Sequence, residues 1–136
     1  MTILIPYDGS EPAQQAVDYA LEHWSDHELI LLRVIEAADG SLEAGVDLIK
    51  ERLKDSRQEG AAKLPDDLLD RLATVEYDVE AVAGKPAREI VAFAEDHDVE
   101  HIVIGSHGRS GPSRVLLGSV AERVVRRAPV GVTVIR

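Results

Sequence analysis

The stretch Glu28-Leu-Ile-Leu-Leu-Arg-Val-Ile35 decides the fold. A strand with one wet face alternates apolar and polar residues, whereas this one is apolar almost throughout, as a strand covered on both faces must be. Layers of helix are therefore expected above and below it. Working outward toward the N-terminus, Ile3 to Tyr7 is a short apolar run that ends at Asp8-Gly9-Ser10, a buried strand followed by a turn. Ser10 can cap a helix with Glu11 and Pro12 in its first turn, and Ala13, Ala16, Val17, Ala20, Leu21 and Trp24 follow at helical spacing.

Toward the C-terminus, Leu42, Val46, Ile49 and Leu53 predict a helix over 41–63 that Pro65 interrupts, with a further short helical piece at Asp66 to Leu72. Thr74 to Ala83 alternates and reads as a third strand. Pro86 opens a helix whose buried stripe is Ala87, Ile90, Val91 and Ala94. His101 to Ile104 is a fourth strand, Val120, Val124 and Val125 suggest a helix ending before Pro129, and Val130 to Ile135 closes the chain as a fifth strand. Strands alternating with helices, without a linker or internal repeat, imply one α/β domain over residues 1–136. Right-handed crossovers then favour an open, doubly wound, parallel five-stranded sheet with helices on both faces and strand order 3-2-1-4-5.

Composition narrows the function. No run of about 18 apolar residues is present to span a membrane. The N-terminus shows no basic segment of a signal peptide, and cysteine is absent, which removes disulfides, thiolate catalysis and cysteine metal sites. A cytoplasmic protein is the expectation. The net charge of −10 argues against a nucleic-acid surface. Its distribution is uneven: residues 1–102 hold 9 Lys/Arg against 24 Asp/Glu, while residues 103–136 hold 6 Arg against Glu122 alone. The basic tail suits an anionic ligand, although three of its Arg also complement a helix C-terminus.

That tail contains Gly105-Ser-His-Gly-Arg-Ser-Gly-Pro-Ser-Arg-Val-Leu-Leu-Gly-Ser119. In doubly wound sheets, ligands bind beyond the carboxyl ends of strands where the strand order reverses. The loop Pro6 to Ser10 after the first strand and the loop from Gly105 after the fourth flank that crevice. Neither a G-x-G-x-x-G turn after the first strand nor a G-x-x-x-x-G-K-[ST] motif occurs, so Rossmann and P-loop sites are disfavoured. Present instead are Gly105 and Gly108, then nine residues, then Gly118-Ser119. Glycines let main-chain N–H groups approach an anion closely, and Gly118-Ser119 falls near a helix start, where unpaired N–H groups attract phosphate. The Ser106 and Ser119 hydroxyls can add donors.

This spacing resembles the nucleotide-binding signature of the universal stress protein family, in its ATP-binding branch. The likeness runs over essentially the whole chain: the Pro-Tyr-Asp-Gly-Ser opening, Leu-Leu-Arg-Val-Ile in the second strand, Gly-Lys-Pro before the third helix and Ala-Pro-Val before the last strand. It implies an adenine nucleotide alpha hydrolase-like fold. It also implies that Asp8 faces the adenosine, with Pro6 and Tyr7 beside it, and that Val34 packs on the adenine. Ile104 and Gly105 would lie under the nucleoside; Gly108, Arg109, Gly118, Ser119 and Val120 would surround the phosphates. ATP is the implied ligand, with a Mg or Mn ion held by its phosphates. The family further implies a homodimer through Val132, Thr133, Val134 and Ile135, whose apolar edge needs covering.

Each of these residues also has a plain reading. Asp8 fits a turn as well as a ligand contact, since Asp-Gly is a common turn dipeptide. His107 has no nucleophile or acidic partner beside it, and the remaining histidines lack metal-ligand spacing. Tyr19 and Trp24 read as packing, and Arg123, Arg126 and Arg127 as helix-end surface. Arg114 is open between solvent and phosphate. No catalytic residue or protein metal ligand is assigned. The leading function is a nucleotide-dependent regulatory module of the stress response. The alternatives are a slow ATPase, or an interaction protein of the same fold that holds no nucleotide or a different adenylate.

Overall fold

The computed structural model describes residues 2–35, 66–106 and 117–136. The helix expected at 41–63, and with it His107, Gly108, Arg109 and Arg114, lies outside the described residues. Within them the elements are β1 Thr2–Pro6, α1 Glu11–His23, β2 Glu28–Ile35, α2 Asp66–Leu72, β3 Tyr77–Ala83, α3 Pro86–Asp96, β4 His101–Gly105, α4 Ser119–Arg127 and β5 Gly131–Ile135. The strands form one parallel sheet in the order β3-β2-β1-β4-β5. The fold is the doubly wound α/β sheet that the apolar run of β2 predicts.

Handedness explains the layers. Connections from β1 through β2 to β3 step one way across the sheet, and those on to β4 and β5 step the other way. With right-handed crossovers the first helices cover one face and the later ones the opposite face. Two cores result. Ile3, Ile5, Leu29, Leu31 and Val103 meet Ala13, Ala16, Val17 and Ala20 of α1 and Leu68 and Leu72 of α2. Leu4, Ile30, Leu32, Ile102 and Ile104 meet Ala87, Ile90, Phe93 and Ala94 of α3 and Ala121 and Val124 of α4. Leu31 and Leu32 point to opposite faces and both are buried, which is why β2 shows so little alternation. Burying one such Leu contributes about 2 kcal/mol.

Some boundaries shift for local reasons. The third strand begins at Tyr77 rather than Thr74, because residues 73–75 finish α2. Val75 N–H donates to the Leu72 carbonyl at 3.1 Å and the Thr74 hydroxyl to the Arg71 carbonyl at 3.3 Å. On α3, Phe93 rather than Val91 completes the buried stripe, and on α4 Val125 is 46% exposed. Tyr19 and Trp24 are packing residues, as expected, with the Trp24 ring 4.6 Å from that of His101.

Candidate functional site

The sheet itself opens the crevice. β1 is paired with β2 along its whole length, out to Pro6 opposite Leu32, and Tyr7 N–H extends the ladder to the Leu32 carbonyl at 2.8 Å. On its other side β1 is in register with β4 only at Ile3–His101 and Leu4–Ile102. The last two residues of β1 therefore part from β4 at the point where the strand order reverses. The loop Tyr7 to Ser10 and the end of β4 at Gly105 and Ser106 stand on either side of that gap.

The β1 loop is built by its own residues. Asp8 accepts the Ser10 N–H at 2.9 Å through Oδ1, and Gly9 takes a φ of 81°, a left-handed turn that suits glycine. Ser10 Oγ accepts the Ala13 N–H at 3.3 Å and caps α1. Asp8 thus has the turn role that Asp-Gly suggests, while its side chain remains exposed beside the gap. Tyr7 is buried, its hydroxyl donating to Gln14 Oε1 at 3.3 Å. Burial pushes its phenol above the ordinary range, partly opposed by Arg33, so it stays a protonated donor. Gln14 gives no motif signal, and a polar residue one helical turn past a cap is unremarkable in sequence.

The N-termini of three described helices, α1, α3 and α4, lie at this end of the sheet, and the two beside the gap, those of α1 and α4, differ. That of α1 is closed by Ser10 and carries Glu11 in its first turn. That of α4 begins after Gly118, which has φ −62° and ψ 154° and supplies no side-chain cap. Among the described residues, the first N–H groups of α4, at Ser119 and Val120, therefore have no N-cap side chain of the kind Ser10 gives α1, an arrangement in which an anion can serve as cap. Glu122 adds an acid to that turn but is paired with Arg126 at 2.8 Å.

Gly105 and Ser106 join these parts. A Cβ on Gly105 would lie 2.6 Å from Pro12 Cβ, 2.7 Å from its carbonyl carbon and 2.8 Å from its oxygen. Close packing of β4 on the first turn of α1 is thus a sufficient reason for glycine there, one the glycine spacing does not reveal. Ser106 is 3% exposed. Its N–H donates to the Ile135 carbonyl at 2.8 Å, and its own carbonyl accepts the Gly118 N–H at 2.6 Å. Its main chain, which the expectation of a hydroxyl donor passes over, thus ties the end of β4 to β5 and to the start of α4.

Of the residues nominated from sequence, Pro6, Tyr7, Asp8, Ile104, Gly105, Ser106, Gly118, Ser119 and Val120 fall at the carboxyl ends of β1 and β4 or at the α4 start. Val34 stands near the end of β2, opposite Val82. Among the described residues no group of three or more His, Asp or Glu is arranged to hold a metal ion. Nor is any described helix long and apolar enough to cross a membrane.

Comparison with known proteins agrees with this architecture. The profile of the universal stress protein family matches residues 1–136. Universal stress protein MJ0531 of Methanocaldococcus jannaschii is 38% identical over 148 residues, covering 98% of this chain and 81% of that protein. The solved structure of MJ0577 from the same organism superposes with a TM-score of 0.69 at 33% identity, over 98% of this chain and 94% of the other. A universal stress protein solved in complex with cAMP gives a TM-score of 0.71 at 22% identity, over 100% of this chain and 97% of that one.

Proposed function

The chain belongs to the universal stress protein family, and from that premise we propose that it is an ATP-binding regulatory module, acting through ligand-linked shape and partners rather than through catalysis. One observation carries the reading: the uncapped start of α4 at Gly118-Ser119 stands at the same end of the sheet as the gap between β1 and β4. The adenosine would lie over the carboxyl ends of β1 and β2, against Asp8 and Val34, and its phosphates would reach across the gap to cap α4 through main-chain N–H groups, with Gly108 and Arg109 completing the cradle. A Mg or Mn ion would ride on the phosphates. The cAMP complex belongs to a relative similar at the level of fold; the assignment here rests on this chain's own glycines and helix start. The partner would be a second copy, paired along β5.

Isothermal titration with ATP and magnesium tests the reading on wild type and a Gly118→Val variant. The backbone at Gly118 is in an ordinary extended region, so valine meets no φ/ψ strain, and the poorer N-cap costs the helix about 1 kcal/mol, which thermal unfolding of the variant measures separately. Its branched side chain would nevertheless crowd the phosphates. The expected result is binding by wild type and an affinity at least about ten-fold weaker in the variant, equivalent to about 1.4 kcal/mol. Equal affinities, or no heat with wild type, would overturn the proposal.

A further inference from the structure

We propose that Ser106 couples the phosphate end of the site to the outer edge of the sheet, so that nucleotide binding and pairing of a second copy along β5 strengthen each other. This rests on the nucleotide reading above and concerns the regulation of that site. The two main-chain hydrogen bonds of Ser106 run in opposite directions. One reaches the Ile135 carbonyl at the end of β5, and the other holds the Gly118 N–H immediately before α4. Both are made at a residue 3% exposed, where water does not compete for them.

Ser106 also has little freedom to move without consequence. Gly105 is packed against the carbonyl carbon and oxygen of Pro12, so the end of β4 cannot slide toward α1. A phosphate held on the Ser119 and Val120 N–H groups would fix the first turn of α4 and, with it, Gly118. Gly118 fixed in place holds the Ser106 carbonyl, and the Ser106 N–H then holds Ile135.

The far end of the chain of contacts is the element most in need of support. Among the described strands β5 pairs with β4 alone, so it is an edge strand, partly exposed from Val132 to Ile135. Such a strand opens locally before the sheet interior does. Along a strand, successive residues turn their N–H and C=O groups to opposite sides. With the Ile135 carbonyl directed inward to Ser106, the polar main-chain groups of Val134 and Val132 face the open edge. Gly131 to Ile135 contains no charge and no proline to discourage pairing there. The same segment on a second copy can add to it in an isologous contact. Ordering β5 from outside and ordering α4 from the phosphate side thus act on one junction, and whichever ligand arrives first reduces the ordering left for the other.

Hydrogen–deuterium exchange on the full chain, with and without saturating ATP and magnesium, reads the coupling directly. The Ser106 amide and the inward-facing amides of β5 are expected to exchange at least about three-fold more slowly with ATP. By linkage, ATP should bind about five-fold or more tightly to wild type at concentrations where it is dimeric than to a Val134→Pro monomer. Should that variant not fold, dilution of wild type through its dimer dissociation supplies the same comparison. ATP binding that leaves β5 exchange and affinity unchanged overturns the coupling while the nucleotide reading stands. Absence of ATP binding removes both.

Discussion

Gly105→Ala tests whether this glycine serves packing or ligand approach. The added Cβ would meet three atoms of Pro12 at 2.6, 2.7 and 2.8 Å, well inside ordinary carbon contact. Two of the three are main-chain atoms of α1, so no side-chain rotation relieves the overlap. The helix is itself held by the Ser10 cap at one end and by buried Ala13, Ala16, Val17 and Ala20 along its inner face. Either α1 or the end of β4 must shift by several tenths of an ångström. Overpacking of this kind costs about 1–3 kcal/mol, and the rigidity of both partners places the expectation in the upper half of that range. For a domain of this size that lowers the melting temperature by roughly 5–10 °C. Urea and thermal unfolding followed by far-UV circular dichroism measure it, with Trp24 at the C-terminal end of α1 as a fluorescent probe. A stability change below about 0.5 kcal/mol would refute the packing argument, because surface-like substitutions already scatter by that much. If ATP affinity collapsed while stability held, Gly105 would be a ligand residue first.

Asp98, just past α3, has a φ of 50° and is the one described non-glycine residue with a positive φ. Asp98→Gly is expected to stabilise the fold by about 0.5 kcal/mol, relief of the left-handed conformation outweighing glycine's extra chain entropy, as a raised urea midpoint would show. His101 lies against Trp24, with Nε2 2.7 Å from Thr133 Oγ1, and burial lowers its pKa below the ordinary 6.5. The unfolded chain therefore takes up this proton first. The stability contribution is complete above about pH 6.5, declines as the pH falls below it, and is gone once the folded imidazole is protonated. Urea midpoints between about pH 7.5 and pH 5 should fall more in wild type than in His101→Gln; equal declines would refute it.

The fold was legible because burial on both faces leaves a mark that few other structures leave. The Leu29 to Leu32 run serves two cores at once, Leu29 and Leu31 on one side and Ile30 and Leu32 on the other. Once that is read as a parallel strand, handedness fixes the remaining layers. What the pattern could not fix were ends and helix faces. Val75 continues the apolar alternation of β3, yet its N–H belongs to the turn that ends α2. Val125 is apolar but solvent-facing, because α4 rests on the sheet through Ala121 and Val124 instead. Propensity and hydropathy are properties of residues; which carbonyl an N–H finds at an element's end depends on the neighbouring element.

At the candidate site, sequence spacing names residues without saying what each one does. Gly105, Ser106 and Gly118 are adjacent in function because the strand order brings the end of β4 beside β1 and α4 behind it, as the 3-2-1-4-5 order requires. Yet a glycine in a sequence does not say whether backbone, ligand or a neighbouring helix needs the space, and at Gly105 Pro12 already occupies it. A serine does not say whether its hydroxyl or its main chain matters, and at Ser106 two main-chain bonds tie three elements together. The asymmetry between the two helix starts resolves part of this. Ser10 caps α1 from within, whereas Gly118 gives α4 no side-chain cap, so of the two helix starts beside the gap it is α4 that leaves its first donors without an N-cap side chain. The same glycine that leaves α4 without a side-chain cap also passes its own N–H to Ser106, so on the proposed reading the start of that helix would bind on one side while it serves as a structural tether on the other.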